Sequence, residues 1–140
     1  MSIEIDSCVN ASSRNYVSFI IENPTDSDLW IQTYFLTFYR GVYSQDGKMV
    51  SRKSTRHSNI LDIGEEEYTK IDKNSTRIIK WKADFFENLQ FELNKEYYLE
   101  CGYQPPHLGR KEKRKLKKLN IELLENQFNG KSDLFRICKL

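Results

Sequence analysis

Between Asn15 and Tyr43 the chain carries its densest apolar and aromatic content, NYVSFIIENPTDSDLWIQTYFLTFYRGVY. Val17, Phe19 and Ile21 alternate with Ser18 and Glu22, the two-residue period of a strand with one buried face. A polar turn follows at Asn23-Pro24-Thr25-Asp26-Ser27-Asp28. Beyond it, Leu29, Ile31, Phe35 and Tyr39 share one side of a second strand, and Trp30, Tyr34, Leu36 and Phe38 share the other. Apolar side chains on both sides predict a strand covered on both faces for much of its length.

The alternation recurs downstream. Within a strand signal spanning Tyr68 to Phe86, Ile79, Trp81, Ala83 and Phe85 oppose Ile78, Lys80, Lys82 and Asp84. From Glu96 to Gln104, Tyr97, Leu99, Cys101 and Tyr103 point inward, and Pro105-Pro106 ends the strand because proline has no N–H to donate. Ser2 to Val9 alternates weakly and reads as an edge strand. Asp46-Gly47 supplies the positive φ of a hairpin turn, with Met49 and Val50 beginning a short return strand. Ser51 to His57 is polar and aperiodic, a loop. Asn59 to Glu67 reads as a short strand or one helical turn, and Glu87 to Lys95 as a connection with a helical turn.

At His107 the texture changes. Arg110 to Phe128 is rich in good helix formers, Leu116, Leu119 and Leu123 recur at helical spacing, and Asn129-Gly130 suits a helix C-terminus. A helix is the first reading. A hairpin competes with it, in which Leu119, Ile121 and Leu123 alternate and Asn129-Gly130 turns into a last strand at Asp133 to Leu140. Short strands between turns, with few helices, predict an all-β fold, an antiparallel two-sheet β-sandwich. Residues 1–140 form one domain, long enough to bury roughly two-thirds of its unfolded surface. Residues 105–130 form a basic insertion, helical or hairpin, before the last strand.

The Asn23-Pro24 turn between two long early strands and the late strand Tyr97-Tyr98-Leu99-Glu100-Cys101-Gly102-Tyr103 resemble bacterial immunoglobulin-like domains, including the small intracellular proteinase-inhibitor type. The resemblance lies at the level of the fold and covers roughly residues 2 to 104. It departs from true immunoglobulin domains in having no cysteine on the Tyr16–Ile21 strand to pair with Cys101, and Leu99 rather than tyrosine two residues before it. The resemblance implies a binding function.

A net charge of +2 hides an uneven distribution. Arg110 to Lys118 (RKEKRKLKK) holds seven basic residues against one acid, which leaves the rest of the chain acidic on balance. Three cysteines, Cys8, Cys101 and Cys138, are widely spaced without CxxC or Cys/His clusters. That pattern argues against a disulfide framework and a zinc site, so reduced thiols in a cytoplasmic protein are expected, one disulfide with a spare thiol being the alternative. No run approaches the roughly 18 apolar residues of a membrane span, and the N-terminus lacks the basic and apolar regions of a signal peptide.

The motifs of common enzymes are missing. His57 and His107 sit in polar or turn contexts without a nucleophile motif, the glycines stand singly, and Glu65-Glu66-Glu67 lacks calcium-loop spacing. No cofactor, metal or small-molecule substrate is implied. The expectation is a non-enzymatic protein-binding module, of inhibitor or immunity type, that acts by occupying an acidic protein partner. The expected contact residues are Arg110, Lys111, Lys113, Arg114, Lys115, Lys117 and Lys118. Trp30, beside the acidic turn, is the expected aromatic anchor. The alternative is nucleic-acid binding by the same basic run. Against that, no aromatic is interleaved for base stacking. A membrane partner is not expected, since no bulky aromatic lies within the basic segment.

Overall fold

The strand that the early alternation predicts is β3 (Tyr16–Asn23), with Val17, Phe19 and Ile21 buried and Glu22 exposed. Its antiparallel neighbour β7 (Ser75–Lys82) pairs along its whole length, from Tyr16↔Lys82 to Asn23↔Ser75. That register stands the Phe19 ring 5.5 Å from Trp81, and β1 (Ser2–Glu4) covers the opposite edge of β3. The computed structural model describes residues 1–36, 38–53 and 67–140, with backbone alone at 38–40 and 84. Most of the expected loop and short element between 51 and 67 therefore lies outside the described residues, with His57, Glu65 and Glu66.

The second sheet has the order β2 (Cys8–Asn10), β10 (Phe135–Lys139), β8 (Glu96–Tyr103), β5 (Phe38–Ser44). All its pairs are antiparallel except β2 with β10. On β8, Tyr97, Leu99, Cys101 and Tyr103 are buried as expected. They belong to the same apolar cluster as Phe19, Ile79 and Trp81 of the first sheet. A 3-10 turn at Asp84–Asn88 carries Phe85 and Phe86 into that cluster, with the Phe86 and Phe135 rings 5.8 Å apart. Strand outweighs helix, 46% to 14%, which meets the all-β expectation.

Four local expectations differ from the structure. The first strand is two: β1 joins β3, and after Ile5-Asp6-Ser7 the chain crosses to pair β2 with β10. Residues 29–39 are not one strand either. β4 (Leu29–Gln32) pairs with β6 (Tyr68–Ile71) as a separate ribbon, and the one-turn helix α1 (Thr33–Leu36) separates it from β5. The break resolves the two apolar faces. Ile31 and Leu36 enter the core, Tyr34 and Phe35 stay partly exposed, and the Thr33 hydroxyl meets that of Thr69 at 2.6 Å.

Third, Asn129-Gly130 neither ends a helix nor turns a hairpin. It lies inside β9 (Phe128–Lys131), which pairs with β8 at Glu100–Tyr103, while β10 continues along the same strand at Tyr97 and Glu96. One extra residue separates the two registers, a β-bulge. There the Ser132 hydroxyl accepts the Leu99 N–H at 2.8 Å, so the interruption leaves no orphaned donor.

Fourth, Cys8 and Cys138 are joined as a disulfide, Cα atoms 5.5 Å apart, where free thiols were expected. The spacing in sequence, 130 residues, hides the pairing because β2 and β10 become neighbours only in the fold. A bulge between Ile137 and Lys139 places Cys138 out of regular register, and bulges of this kind re-aim a side chain. Cys101 is the free thiol among the described residues. Burial, with Glu100 adding to it, pushes it up to about 12, so it stays an inert core thiol.

Candidate functional site

The basic run folds as α2 (Arg110–Lys118), nine residues that would not hold a helix alone in water. Two anchors fix it. Leu116 is buried, 4% exposed, beside the arms 104–108 and 121–127 that flank the helix, a burial that contributes on the order of 1.5–3 kcal/mol. One helical turn earlier Glu112 is half-buried, and its carboxylate accepts the Tyr68 hydroxyl at 2.8 Å. Tyr68 stands on β6, so α2 is tied across the β4–β6 ribbon. Burial and then this hydrogen bond push the Tyr68 phenol above its ordinary value. Glu112 lies in the first turn and Lys115, Lys117 and Lys118 in the last, both favourable to the helix dipole.

The helix stops at Lys118, not at Phe128. Asn120 takes a left-handed φ of 55°, the Asn120 N–H reaches the Lys117 carbonyl at 3.2 Å, and Ile121 N–H reaches that of Leu116 at 2.9 Å. These two bonds are the Schellman stop, with Ile121 and Leu116 as its usual apolar pair. The chain then runs extended: Leu123 bridges to Trp30 in parallel, and Leu124 N–H donates to the Trp30 carbonyl at 2.7 Å. The structure therefore brings Trp30 beside the insertion, where it borders the basic segment's returning arm.

With Leu116 and Glu112 on the covered face of the helix, the 3.6-residue period sends Arg110, Lys111, Arg114 and Lys118 outward. All four are exposed. Lys113 and Lys117 lie to one side, on the wall of a groove of about 800 Å³ between α2 and the arms 104–108 and 121–127. Lys115 is 4.0 Å from Glu112, and among the described residues no other cation of α2 has a carboxylate within ion-pair distance. His107, exposed, lies at the same groove.

The acidic turn near Trp30 is committed elsewhere. Asp28 accepts the Lys73 N–H at 2.9 Å and meets Lys70 at 3.4 Å, contacts that hold its carboxyl below the usual range. Asp26 accepts from Asn74 at 3.2 Å. Trp30 is half-buried. Among the described residues, no three His, Cys, Asp or Glu side chains come together in a metal-binding group, and no helix is long and apolar enough to cross a membrane.

Sequence reasoning found the cations and missed what holds and shapes them: Tyr68, Glu112 and Asn120. One signal was available, since Asn after a lysine-rich turn is a helix stop. The Tyr68–Glu112 contact, 44 residues apart, had none. No family model, curated protein or solved structure matches this chain.

Proposed function

We propose that this chain is a non-enzymatic protein-binding module, an inhibitor or immunity-type protein that occupies an acidic partner through the outward face of α2. The observation that carries this reading is the helix itself. Glu112 ties it to Tyr68 of the body and Leu116 is buried beside its own flanking arms, yet it turns Arg110, Lys111, Arg114 and Lys118 to solvent with no described carboxylate to neutralise them. Such a face steers encounter with an acidic surface and speeds association more than it strengthens the final complex.

The body beneath is proposed to be an immunoglobulin-like sandwich. The orders β1-β3-β7 and β10-β8-β5 support this, since they correspond to the A-B-E and G-F-C strands of that fold. The Cys8–Cys138 disulfide favours an oxidising compartment over the cytoplasm expected from sequence, because cytosolic thiols are kept reduced.

The test is affinity capture from native lysate, with and without nuclease. It compares the native chain with one carrying Arg110→Glu, Lys111→Glu, Arg114→Glu and Lys118→Glu. A protein captured regardless of nuclease and lost on reversal is the expected result, with its association rate lowered about tenfold or more at low salt. Recovery that vanishes with nuclease would assign the face to nucleic acid and overturn the reading.

A further inference from the structure

The groove beside α2 exists because the helix ends early. Had Arg110 to Phe128 stayed helical, the arm 121–127 would not return alongside α2. Instead the stop at Asn120 turns the chain back, and Pro105, Leu108, Ile121, Leu123 and Leu124 line a channel with Leu116 beneath. All of these but Leu116 remain partly accessible. Aliphatic side chains gathered in one concavity with a few charged groups at its walls have the make-up of a binding groove. The volume of about 800 Å³ is that of a ligand site, with room for a few large side chains.

The charges of the walls differ. Lys113 and Lys117 stand on the α2 side, and Glu122 and Glu125 on the arm side. None of the four has an ion-pair partner among the described residues, although the walls face each other. A neutral apolar segment would leave Lys113 and Lys117 without a partner, and a purely acidic one would leave the floor uncovered and face Glu122 and Glu125, which are exposed and stay solvated beside an uncharged edge. The complementary occupant is amphipathic, with large apolar side chains on the floor and carboxylates directed to Lys113 and Lys117.

We propose that this groove binds a protein segment with two or more large apolar side chains flanked on one side by Asp or Glu, held in a fixed orientation by the unlike walls. The inference rests on the protein-binding reading of α2 and adds the chemistry of the segment bound there. The outward cations speed the encounter, and the groove then supplies the short-range discrimination that long-range charge lacks.

The probes are three synthetic peptides titrated into the ¹⁵N-labelled, disulfide-bonded chain. One combines Leu and Phe with Glu along one edge, a second replaces Leu and Phe by Ser, and the third replaces Glu by Gln. The first peptide is expected to shift amide signals of Gln104, His107, Leu108 and residues 116–127, and to bind about tenfold or more tightly than either control, a difference of about 1.4 kcal/mol. Lys113→Glu combined with Lys117→Glu should abolish the preference for Glu over Gln while leaving the spectrum folded. Leu108→Ser is a second variant away from the buried Leu116 anchor, and should weaken both apolar peptides equally.

No shifts with any peptide, shifts mapping outside these residues, or equal binding of the Ser control would each overturn the groove proposal. Failure of the two readings is distinguishable. Loss of lysate capture on outward-face reversal with no peptide in the groove sinks the groove alone. A groove that binds peptide while capture ignores outward-face reversal sinks the outward-face reading alone.

Discussion

The β3–β7–β8 core and the α2 insertion are stabilised in opposite ways. In the core, Phe19, Trp81, Leu99 and Tyr103 are fully buried, each contacting several apolar neighbours across two sheets. In the insertion one leucine and one tyrosine–carboxylate bond hold a helix whose other side chains are almost all exposed. Redundant burial makes a core tolerant of surface change and intolerant of cavities. So few anchors make a helix that is held in place yet adds little to the folding of the body, so its surface is free to vary with a partner. The difference predicts that the insertion can lose structure while the core keeps it, whereas damage to the core reaches both.

The largest effect should come from Trp81→Ala. Removing a fully buried indole costs about 3–5 kcal/mol, which for a chain of this size lowers the Tm by more than about 10 °C. Amide-exchange protection should fall in both regions together, because the ribbon on which α2 rests goes with the core. Next in size is Cys138→Ser. Opening a disulfide that closes nearly the whole chain costs up to about 5 kcal/mol by chain entropy and more commonly 2–4. Thermal unfolding with and without reductant measures it. An unchanged Tm in reductant would remove the argument for an oxidising compartment.

Leu116→Ala sharpens the comparison from the other side. It should cost about 2 kcal/mol, felt as lost helicity and lost protection over 110–121, with the amides of β3 and β8 still protected. If β3 and β8 lose protection as they do in Trp81→Ala, core and insertion form one cooperative unit and the contrast drawn between them is wrong.

This same contrast accounts for what the sequence made legible. The strands β3, β7 and β8 were readable because burial on one face imposes a period of two, and Val17 to Ile21, Ile79 to Ala83 and Tyr97 to Tyr103 keep it without interruption. Breaks in the pattern were not readable. Thr33–Leu36 sits in a run as apolar as its neighbours, and only the separate pairing of β4 and β5 shows why the chain must turn there. The cations of α2 were visible as composition, whereas their division into outward face and groove wall depends on Leu116 and Glu112 sharing the covered face. Cys8 and Cys138 reach each other through β2–β10 pairing, which no local spacing encodes.

The smallest predicted effect tests the second anchor by its chemistry. Tyr68→Phe removes one hydroxyl from a bond to a half-buried carboxylate, worth about 1.5 kcal/mol at most, and should loosen α2 without moving the core. The phenol adds a pH dependence, its pKa raised first by burial and then by the bond to Glu112. In the fold it titrates above its ordinary value of 10.0, so the folded state favours the protonated form. Its contribution is therefore complete below pH 10, and it is lost as pH rises from there toward the folded value. Tyr103 is shifted the same way by burial, so native stability falls above pH 10 for more than one reason. The difference between native and Tyr68→Phe isolates one phenol: it should be constant at neutral pH and shrink above pH 10. A difference that stays flat through that range would mean that Tyr68 does not hold α2 through its proton, and Leu116 alone would be the anchor.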